Sequence, residues 1–569
     1  MRYLALAVDY DGTAASEDRL SSAAMRAIAR LPASGRRAVL VTGRRLSELH
    51  RVCPELRLFN LVIAENGAVL YDPRRREETL LAAPLPARFI ERLRDRGVEP
   101  LDIGEVLVST HDRHRAVIHD VIRELSLELQ VIYNRSFVMV LPPGINKASG
   151  LAEALRRLGL SQHEAVGIGD AENDYSFLYY CECGVAVANA VESIKEAADL
   201  VMQGTNGHGV AELVDELIAN DLKRVEGKIE RHLVAVGTRA DGSEVRIPPY
   251  GHNILIAGPS GSGKSTLTAG IVERLIDKSY QICIIDPEGD YSAMQSVIAL
   301  GSHRRAPSVN EVLSILEDPV INLSVNLLGL PLEDRPFFFS QLIPGLQAMR
   351  ARTGRPHWIV LDEAHHMLPQ DWGHTESTMP RMLGETILVT VHPDHVAPAM
   401  LAPVDIVFAI GHSPDDTLRR FASTAGRELR WPRGLAHRSR HAVAWFVSEG
   451  AEPFLVQPQR TRAERIRHHR KYAEGDLRYH SFYFRGPDGR HNLKAQNLAV
   501  FCQIAAGIDE KTWLFHLRNN DYSRWIREAV RDPWLAEHIE PIERRSDLSP
   551  QQTRDLVRGV ISARYTLPE

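Results

Sequence analysis

The stretch HNILIAGPSGSGKSTL, residues 252–267, leaves a chain little freedom. A short apolar run ends in a glycine-rich loop, and the loop runs straight into a helix start. Gly258, Gly261 and Gly263 let backbone N–H groups turn inward, at the positive end of the following helix. The spacing G-x-x-x-x-G-K-S makes Gly258, Ser260, Gly261, Ser262, Gly263, Lys264, Ser265 and Thr266 a cradle for the phosphates of ATP. In such a cradle Lys264 reaches the β- and γ-phosphates, and the Ser265 hydroxyl helps to hold Mg²⁺. A strand, a loop and a helix in this sequence call for an α/β fold with its loops gathered at one sheet edge.

Downstream, HWIVLDE (357–363) is a second apolar run, and it ends in two acids. Asp362 is expected to hold Mg²⁺ and Glu363 to polarise the attacking water. Residues 362–365 also spell DEAH, a helicase box. That spelling misleads: no Ser-Ala-Thr motif follows, no QRxGRxGR-like run, and too little chain for a second nucleotide-binding core. Instead ICIIDPEGDY supplies Asp286 and Pro287, and TGRPHWIVLDEAHHMLP, ETILVTVHPDHVAPAML and VDIVFAIGH follow in order. Over about residues 225–455 this resembles the HerA/FtsK-type ATPases. The resemblance implies a RecA-like core, assembly into a hexameric ring and duplex DNA as partner. It is incomplete, because the glutamine expected after the strand that follows the DE strand is replaced by Thr390 and His392. Arg381, Arg419 and Arg420 are the candidates for an arginine offered to a neighbouring subunit, with plain solvated surface as the alternative.

A separate set of apolar runs opens the chain. VDYDGT places Asp9 and Asp11 after one run, and VLVTGR ends another in Thr42. PPGINKASGL puts Lys147 at a helix start, and AVGIGDAENDYSFL ends a run in Asp170, followed by Asn173 and Asp174. In this order the four motifs resemble the haloacid dehalogenase superfamily of phosphatases, over residues 1 to about 222. AENGA (64–68) and GVAVANAVESIKEAADLV match the subgroup with a large cap, here at about 80–140. The resemblance implies that Asp9 is a nucleophile forming an aspartyl-phosphate and that Asp11 is first an acid, then a base. Thr42 and Lys147 would hold the phosphoryl oxygens. Mg²⁺ would sit on Asp9, the Asp11 backbone carbonyl and Asp170, with Asp174 in support. The substrate would be a small phosphorylated molecule. His111, Arg113, His114 and Arg115 in the cap are either anion contacts or a solvated charged loop.

The expected fold class is α/β, with two α/β domains and a mostly helical C-terminal domain. Residues 1–222 form the Rossmann-like core with its cap, 223–251 a connector with short strands, and 252–458 the P-loop core. Residues 459–569 hold a basic stretch and the helical domain, expected to serve assembly or a protein partner. Trp513, Trp525 and Trp534 are expected in its core. The net charge of −5 excludes a polycation, so DNA would need a local patch. RTRAERIRHHRK, with Arg460, Arg462, Arg465, Arg467, Arg470 and Lys471, is the best one, and a solvated linker helix is its alternative. Five cysteines argue for a reducing compartment. Cys181 and Cys183 form C-x-C, but Cys183 falls in a strand pattern and reads as core. No apolar run reaches the ~18–20 residues that span a bilayer, so the expectation is cytoplasmic, with no membrane. Three functions remain open. The first is a phosphatase joined to a ring ATPase for DNA translocation, DNA processing or anti-phage defence. The second is a polynucleotide kinase–phosphatase, and the third a metabolic phosphatase with an ATP-sensing oligomerisation module.

Overall fold

Ala5–Asp9 is buried along its whole length, as a strand covered by helices on both faces must be. It pairs in parallel with Arg37–Val41 on one side and Ala165–Gly169 on the other. These strands belong to a computed structural model that describes the chain except for residues 371–383, 436–440, 462–480 and 565–569. The single positions 135, 226, 293, 295, 303, 434, 460, 488, 490 and 531 are also left out. The first sheet runs Leu200–Val201, Cys183–Ala186, Ala165–Gly169, Ala5–Asp9, Arg37–Val41, Leu61–Ala64, Val69–Asp72 and Glu77–Leu80. The last two are antiparallel additions at one edge. A second, antiparallel sheet of Gln130–Asn134, Phe137–Leu141, Val108–His111 and Asp102–Ile103 is inserted in the chain between Glu77–Leu80 and Ala165–Gly169. Helices Ala87–Asp95 and Arg115–Glu124 pack on that sheet through Phe89, Leu93, Ile118 and Val121.

The P-loop strand Ile254–Ala257 lies in an eleven-stranded sheet. Its parallel part runs Ile298–Leu300, Leu323–Asn326, Ile282–Asp286, Trp358–Leu361, Thr386–Thr390, Ile254–Ala257 and Ile406–Ile410. Ala442–Phe446, Phe454–Pro458, Val234–Thr238 and Glu244–Ile247 then extend it in antiparallel fashion. The hairpin expected to be a connector is therefore the edge of this sheet. Val234, Val236, Val245 and Ile247 point into its core, and that buried face holds the hairpin in place.

The C-terminal region is a short hairpin, Phe482–Phe484 with Leu493–Ala495, followed by helices around a buried aromatic cluster. Trp513 and Trp525 lie in that cluster. Trp534 does not: it is 41% exposed and stacks on His538. Its helix, Pro533–Glu543, turns Leu535, Ala536 and Ile539 inward instead. No helix among the described residues is long and apolar enough to cross a membrane.

The two large sheets meet at the amino ends of their strands. Glu164 precedes Ala165–Gly169 and His357 precedes Trp358–Leu361, and His357 Nε2 lies 2.6 Å from Glu164 Oε1. His357 Nδ1 accepts from the Gln281 N–H at 2.7 Å, so Nε2 is the donating nitrogen. Burial pushes the His357 pKa down, against the pull of Glu164, which suits a neutral ring with that one proton. Beside this pair His163 stacks on Tyr280, with centroids 3.8 Å apart. Its Nδ1 lies 2.6 Å from Glu182 Oε2 and its Nε2 2.7 Å from the Lys278 carbonyl oxygen. A ring protonated on both nitrogens satisfies both acceptors. Glu182 also accepts from Arg2 and, at 3.2 Å, from the Tyr280 hydroxyl.

Burial alone would raise the Glu182 pKa, but the His163 hydrogen bond and the Arg2 charge outweigh it and bring the value to about 2. A carboxyl depressed from the ordinary 4.5 stabilises the fold fully above that pH, and the contribution drains away as pH falls toward 2. Glu182→Ala should strip Arg2 and His163 of a shared buried carboxylate and cost about 3–5 kcal/mol. Urea unfolding at neutral pH measures that loss, and the difference from the parent should shrink between pH 4.5 and 2.

Candidate active sites

Asp9 ends the central strand of the first sheet, with Thr42 just beyond one neighbouring strand and Asp170 just beyond the other. Both neighbours run parallel to it, so all three residues arrive at one edge. Lys147 opens the helix Lys147–Arg157, whose start is capped by Asn146 accepting from the Ser149 N–H at 3.0 Å. From there its buried Nζ donates to Asp9 Oδ1 at 2.6 Å and to Asp174 Oδ1. The other oxygen of Asp174 accepts from the Asp170 and Ala171 N–H groups at 2.9 and 3.0 Å. Thr13 donates to Asp170 Oδ1 at 3.2 Å. Gly12 turns here at φ +78°, and a Cβ in its place would lie 2.4 Å from Asp170 Oδ2.

Asp9, Asp170 and Asp174 are buried, with ligand oxygens within 4.8 Å of one another. Burial, then the Asp174 charge, pushes the Asp9 pKa well up, against the opposing pull of Lys147. Burial alone would lower Lys147, and the Asp174 and Asp9 charges reverse this. Fully ionised, three carboxylates and one ammonium leave a net charge of −2, which a divalent cation with oxygen ligands neutralises.

Asp11 leaves this group. Its half-exposed carboxylate forms a two-pronged ion pair with Arg44, Nε to Oδ2 at 2.7 Å and Nη2 to Oδ1 at 2.6 Å. Arg44 also meets Asp18 and Glu48. The sequence reading missed Arg44, although it stands two residues after Thr42 in VTGR. It also passed over Glu65 of AENGA. That buried carboxylate accepts the N–H groups of Glu105, Val106 and Leu107, each at 2.9 Å, and so ties the inserted sheet to the core. The strand Gln130–Asn134 lies against the turn Glu172–Asp174, and Met139 lies over Gly43, so the inserted sheet covers the site. Arg113 and His114 both bond the Glu99 carbonyl oxygen, at 2.8 and 3.0 Å, while His111 stacks on Phe137. Cys183 is buried in its strand.

In the second sheet Gly258 follows the P-loop strand at φ +155°, where a Cβ would stand 2.0 Å from the Ile410 carbonyl oxygen. Helix Lys264–Asp277 follows, with Ser265 and Thr266 in its first turn. Lys264 is buried and its Nζ lies 3.4 Å from the Pro259 carbonyl oxygen. Burial lowers its pKa, while Glu363, Asp362, Glu288 and Asp290 pull the other way. Asp362 and Glu363 are buried at the end of Trp358–Leu361. Thr386–Thr390 separates that strand from the P-loop strand. Glu363 takes a left-handed conformation, φ +43°, so AHHM continues as one tight turn, Ala364–His366, where the start of a helix was expected. Asp286 organises its own turn: its oxygens accept from the N–H groups of Asp290 and Tyr291 at 3.0 and 2.9 Å. Arg419 and Arg420 pair with Asp415, Asp416 and Asp394 on the same surface. Arg381 and the basic residues Arg460, Arg462, Arg465, Arg467, Arg470 and Lys471 lie outside the described residues.

Comparison with known proteins separates the chain into the same two parts. Residues 6–99 and 100–214 match the haloacid dehalogenase-like hydrolase model, and residues 236–339 match a model described as the central domain of the helicase HerA. A phosphoglycolate phosphatase of Methanothermobacter thermautotrophicus is 32% identical over 216 residues, 37% of this chain and 96% of that protein. A phosphoglycolate phosphatase of Methanosarcina acetivorans is 30% identical over 226 residues, 39% of this chain and 99% of that protein. A solved haloacid dehalogenase-like hydrolase of Bacteroides thetaiotaomicron is 23% identical and covers 38% of this chain and 100% of that chain, with a TM-score of 0.34.

Glu65→Ala removes one acceptor from three N–H groups, each bonded to a charged oxygen and so individually worth about 1.5–3 kcal/mol. Amide exchange at residues 105–107 should speed up at least about tenfold. Exchange along Ala5–Asp9 should stay as it was, which separates a freed cap from a damaged core.

Proposed function

The chain belongs to the haloacid dehalogenase-like hydrolases, and from that membership we propose two phosphate-cleaving sites in one molecule. One is a phosphatase built on Asp9, and the other an ATPase built on Lys264 and Glu363. The observation that carries the first is the meeting of Asp9, Lys147, Asp170 and Asp174 at one sheet edge.

In this reading Asp9 attacks phosphorus, the P–O bond to the leaving group breaks, and Asp11 gives that oxygen a proton. Asp11 then takes a proton from the water that cleaves the aspartyl-phosphate, and inorganic phosphate leaves. Thr42 and Lys147 hold the phosphoryl oxygens. Asp9, the Asp11 carbonyl and Asp170, with Asp174 in support, would hold Mg²⁺, which would supply charge neutralisation for the phosphoryl group. Both Asp11 oxygens are held by Arg44, so the carboxyl must leave that pair before it reaches a leaving-group oxygen. The covering sheet and the named activity of the relatives favour a small phosphorylated acid, and phosphoglycolate is the first compound to test.

At the second site the P-loop cradles the ATP phosphates, Ser265 and Asp362 would hold Mg²⁺, and Glu363 draws a proton from the attacking water. The HerA-type match supports a homo-oligomeric ring, and DNA-directed translocation or processing is the reading that follows. A polynucleotide kinase–phosphatase fits less well. The sheets abut at their amino ends, whereas both sites sit at carboxyl ends. With four or five residues per strand at ~3.3 Å each, each site stands a strand's length of roughly 15 Å beyond the contact between the sheets. One nucleic-acid end cannot meet both without leaving the protein.

Asp9→Asn should reduce phosphatase turnover at least about a thousandfold and leave ATP hydrolysis intact, and Glu363→Gln should do the reverse. ATP turnover with and without duplex DNA, measured alongside mass in solution, tests the motor. Stimulation of a ring-sized species supports it. A monomer whose turnover ignores DNA points instead to a metabolic phosphatase with an ATP-sensing module, and transfer of label from ATP to a DNA 5′ end to the kinase.

A further inference from the structure

The left-handed backbone at Glu363 is a conformation that side chains of this size adopt only where the surroundings hold them there. His365 is the residue in place to do so. Its Nδ1 lies 3.5 Å from Glu363 Oε2 and 3.1 Å from Thr390 Oγ1. The Thr390 hydroxyl accepts from the His392 N–H at 3.2 Å and donates to the His392 carbonyl oxygen at 3.3 Å. The Glu363 carboxylate can only accept, so a proton on Nδ1 is the tautomer that offers a donor to both neighbouring oxygens. Burial, reinforced by His366, His392, His395 and Lys264, lowers the His365 pKa to about 4, which keeps the ring neutral with one proton to place.

Thr390 connects this arrangement to the phosphate loop. It ends the strand Thr386–Thr390, which lies between the strand leading to Glu363 and the P-loop strand. It pairs with Ala257, and its carbonyl oxygen accepts the Gly258 N–H at 3.3 Å. A continuous path of contacts thus runs from the Glu363 carboxylate through His365 and Thr390 to the first glycine of the loop.

We infer that His365 is a positioning residue: it orients the Glu363 carboxylate through Nδ1–H and couples it, by way of Thr390, to the loop that receives the nucleotide phosphates. The inference rests on the ATPase reading above. It makes no use of His365 as a ligand or as a proton acceptor in the chemical step. A bulky ring that merely fills space would show the same burial, so the test must separate a specific N–H from volume.

In His365→Asn the new side-chain amide places an N–H near the position of Nδ1, whereas in His365→Gln the amide extends one bond further, toward Nε2. In the full-length protein, kcat and KM for ATP and the affinity for a fluorescent ATP analogue are compared across the parent, His365→Ala, His365→Asn, His365→Gln, Thr390→Val and Glu363→Gln. His365→Ala should reduce kcat about thirtyfold or more and leave nucleotide affinity within about twofold of the parent. His365→Asn should recover most of that loss and His365→Gln little of it. Thr390→Val should show the same pattern of lowered kcat with retained affinity. Adding His365→Ala to Glu363→Gln should cost no further activity, because the residue it positions is already disabled.

Unchanged kcat in His365→Ala overturns the inference, as does a loss confined to KM or an equal loss in the alanine, asparagine and glutamine variants. A parent protein that binds the nucleotide analogue yet hydrolyses no ATP overturns the ATPase reading itself. The two failures are therefore told apart by the parent alone.

Discussion

An ionised carboxylate taken out of water survives only among partners, and Glu182 has Arg2, His163 and Tyr280. Arg2, His163 and Glu182 each stand just ahead of strands of the first sheet, and Tyr280 just ahead of a strand of the other. The charge is balanced from its own side, and Tyr280 brings the second sheet against it. The neighbouring Glu164–His357 pair adds a second polar contact across the same plane, and Arg355 a third through its bond to the Gly159 carbonyl oxygen at 2.7 Å. Polar groups demand direction as well as proximity, so these contacts fix an orientation in a way an apolar patch would not.

That orientation decides how the two sites are disposed. In a parallel sheet the catalytic loops gather at the carboxyl edge, which leaves the amino edge free for packing. Joining two such sheets by their amino edges turns both sets of loops outward. Coupling between the sites then has a path through the strands and the polar plane between them. The two sites also handle their own charge differently. The first holds a buried ammonium, Lys147, among three carboxylates. The second buries Lys264 at the start of its helix, within the field of Glu363 and Asp362, and holds Glu363 in a left-handed conformation.

Much of this was legible before any coordinates. Asp9, Thr42, Lys147 and Asp170 each stand where an apolar run ends or a helix begins, and that position alone brings them to a common edge. The P-loop was legible for the same reason. What escaped were residues whose meaning lies in a distant partner. Glu65 reads as an ordinary acid until three N–H groups from residues 105–107 close on it. Arg44 reads as surface charge until it grips Asp11, 33 positions away. The hairpin 234–247 reads as a linker because its alternating pattern names a buried face and says nothing of which sheet covers it. Trp534 reads as core because its composition does, yet its place on the helix turns it outward.

The sequence by itself determined the fold class, the two phosphate-handling motif sets and the edge at which each set assembles. These follow from local rules: a parallel strand ends, a loop turns, and a helix dipole or a short side chain is waiting there. Tertiary structure alone decided that the two sheets are joined at their amino ends, that Asp11 rests on Arg44 and that Glu65 ties the inserted sheet to the core. Each of these depends on contacts between segments far apart in the chain. Such contacts leave no periodicity behind, because the free energy of a buried ion pair or a shared proton depends on three-dimensional distance and not on spacing along the sequence.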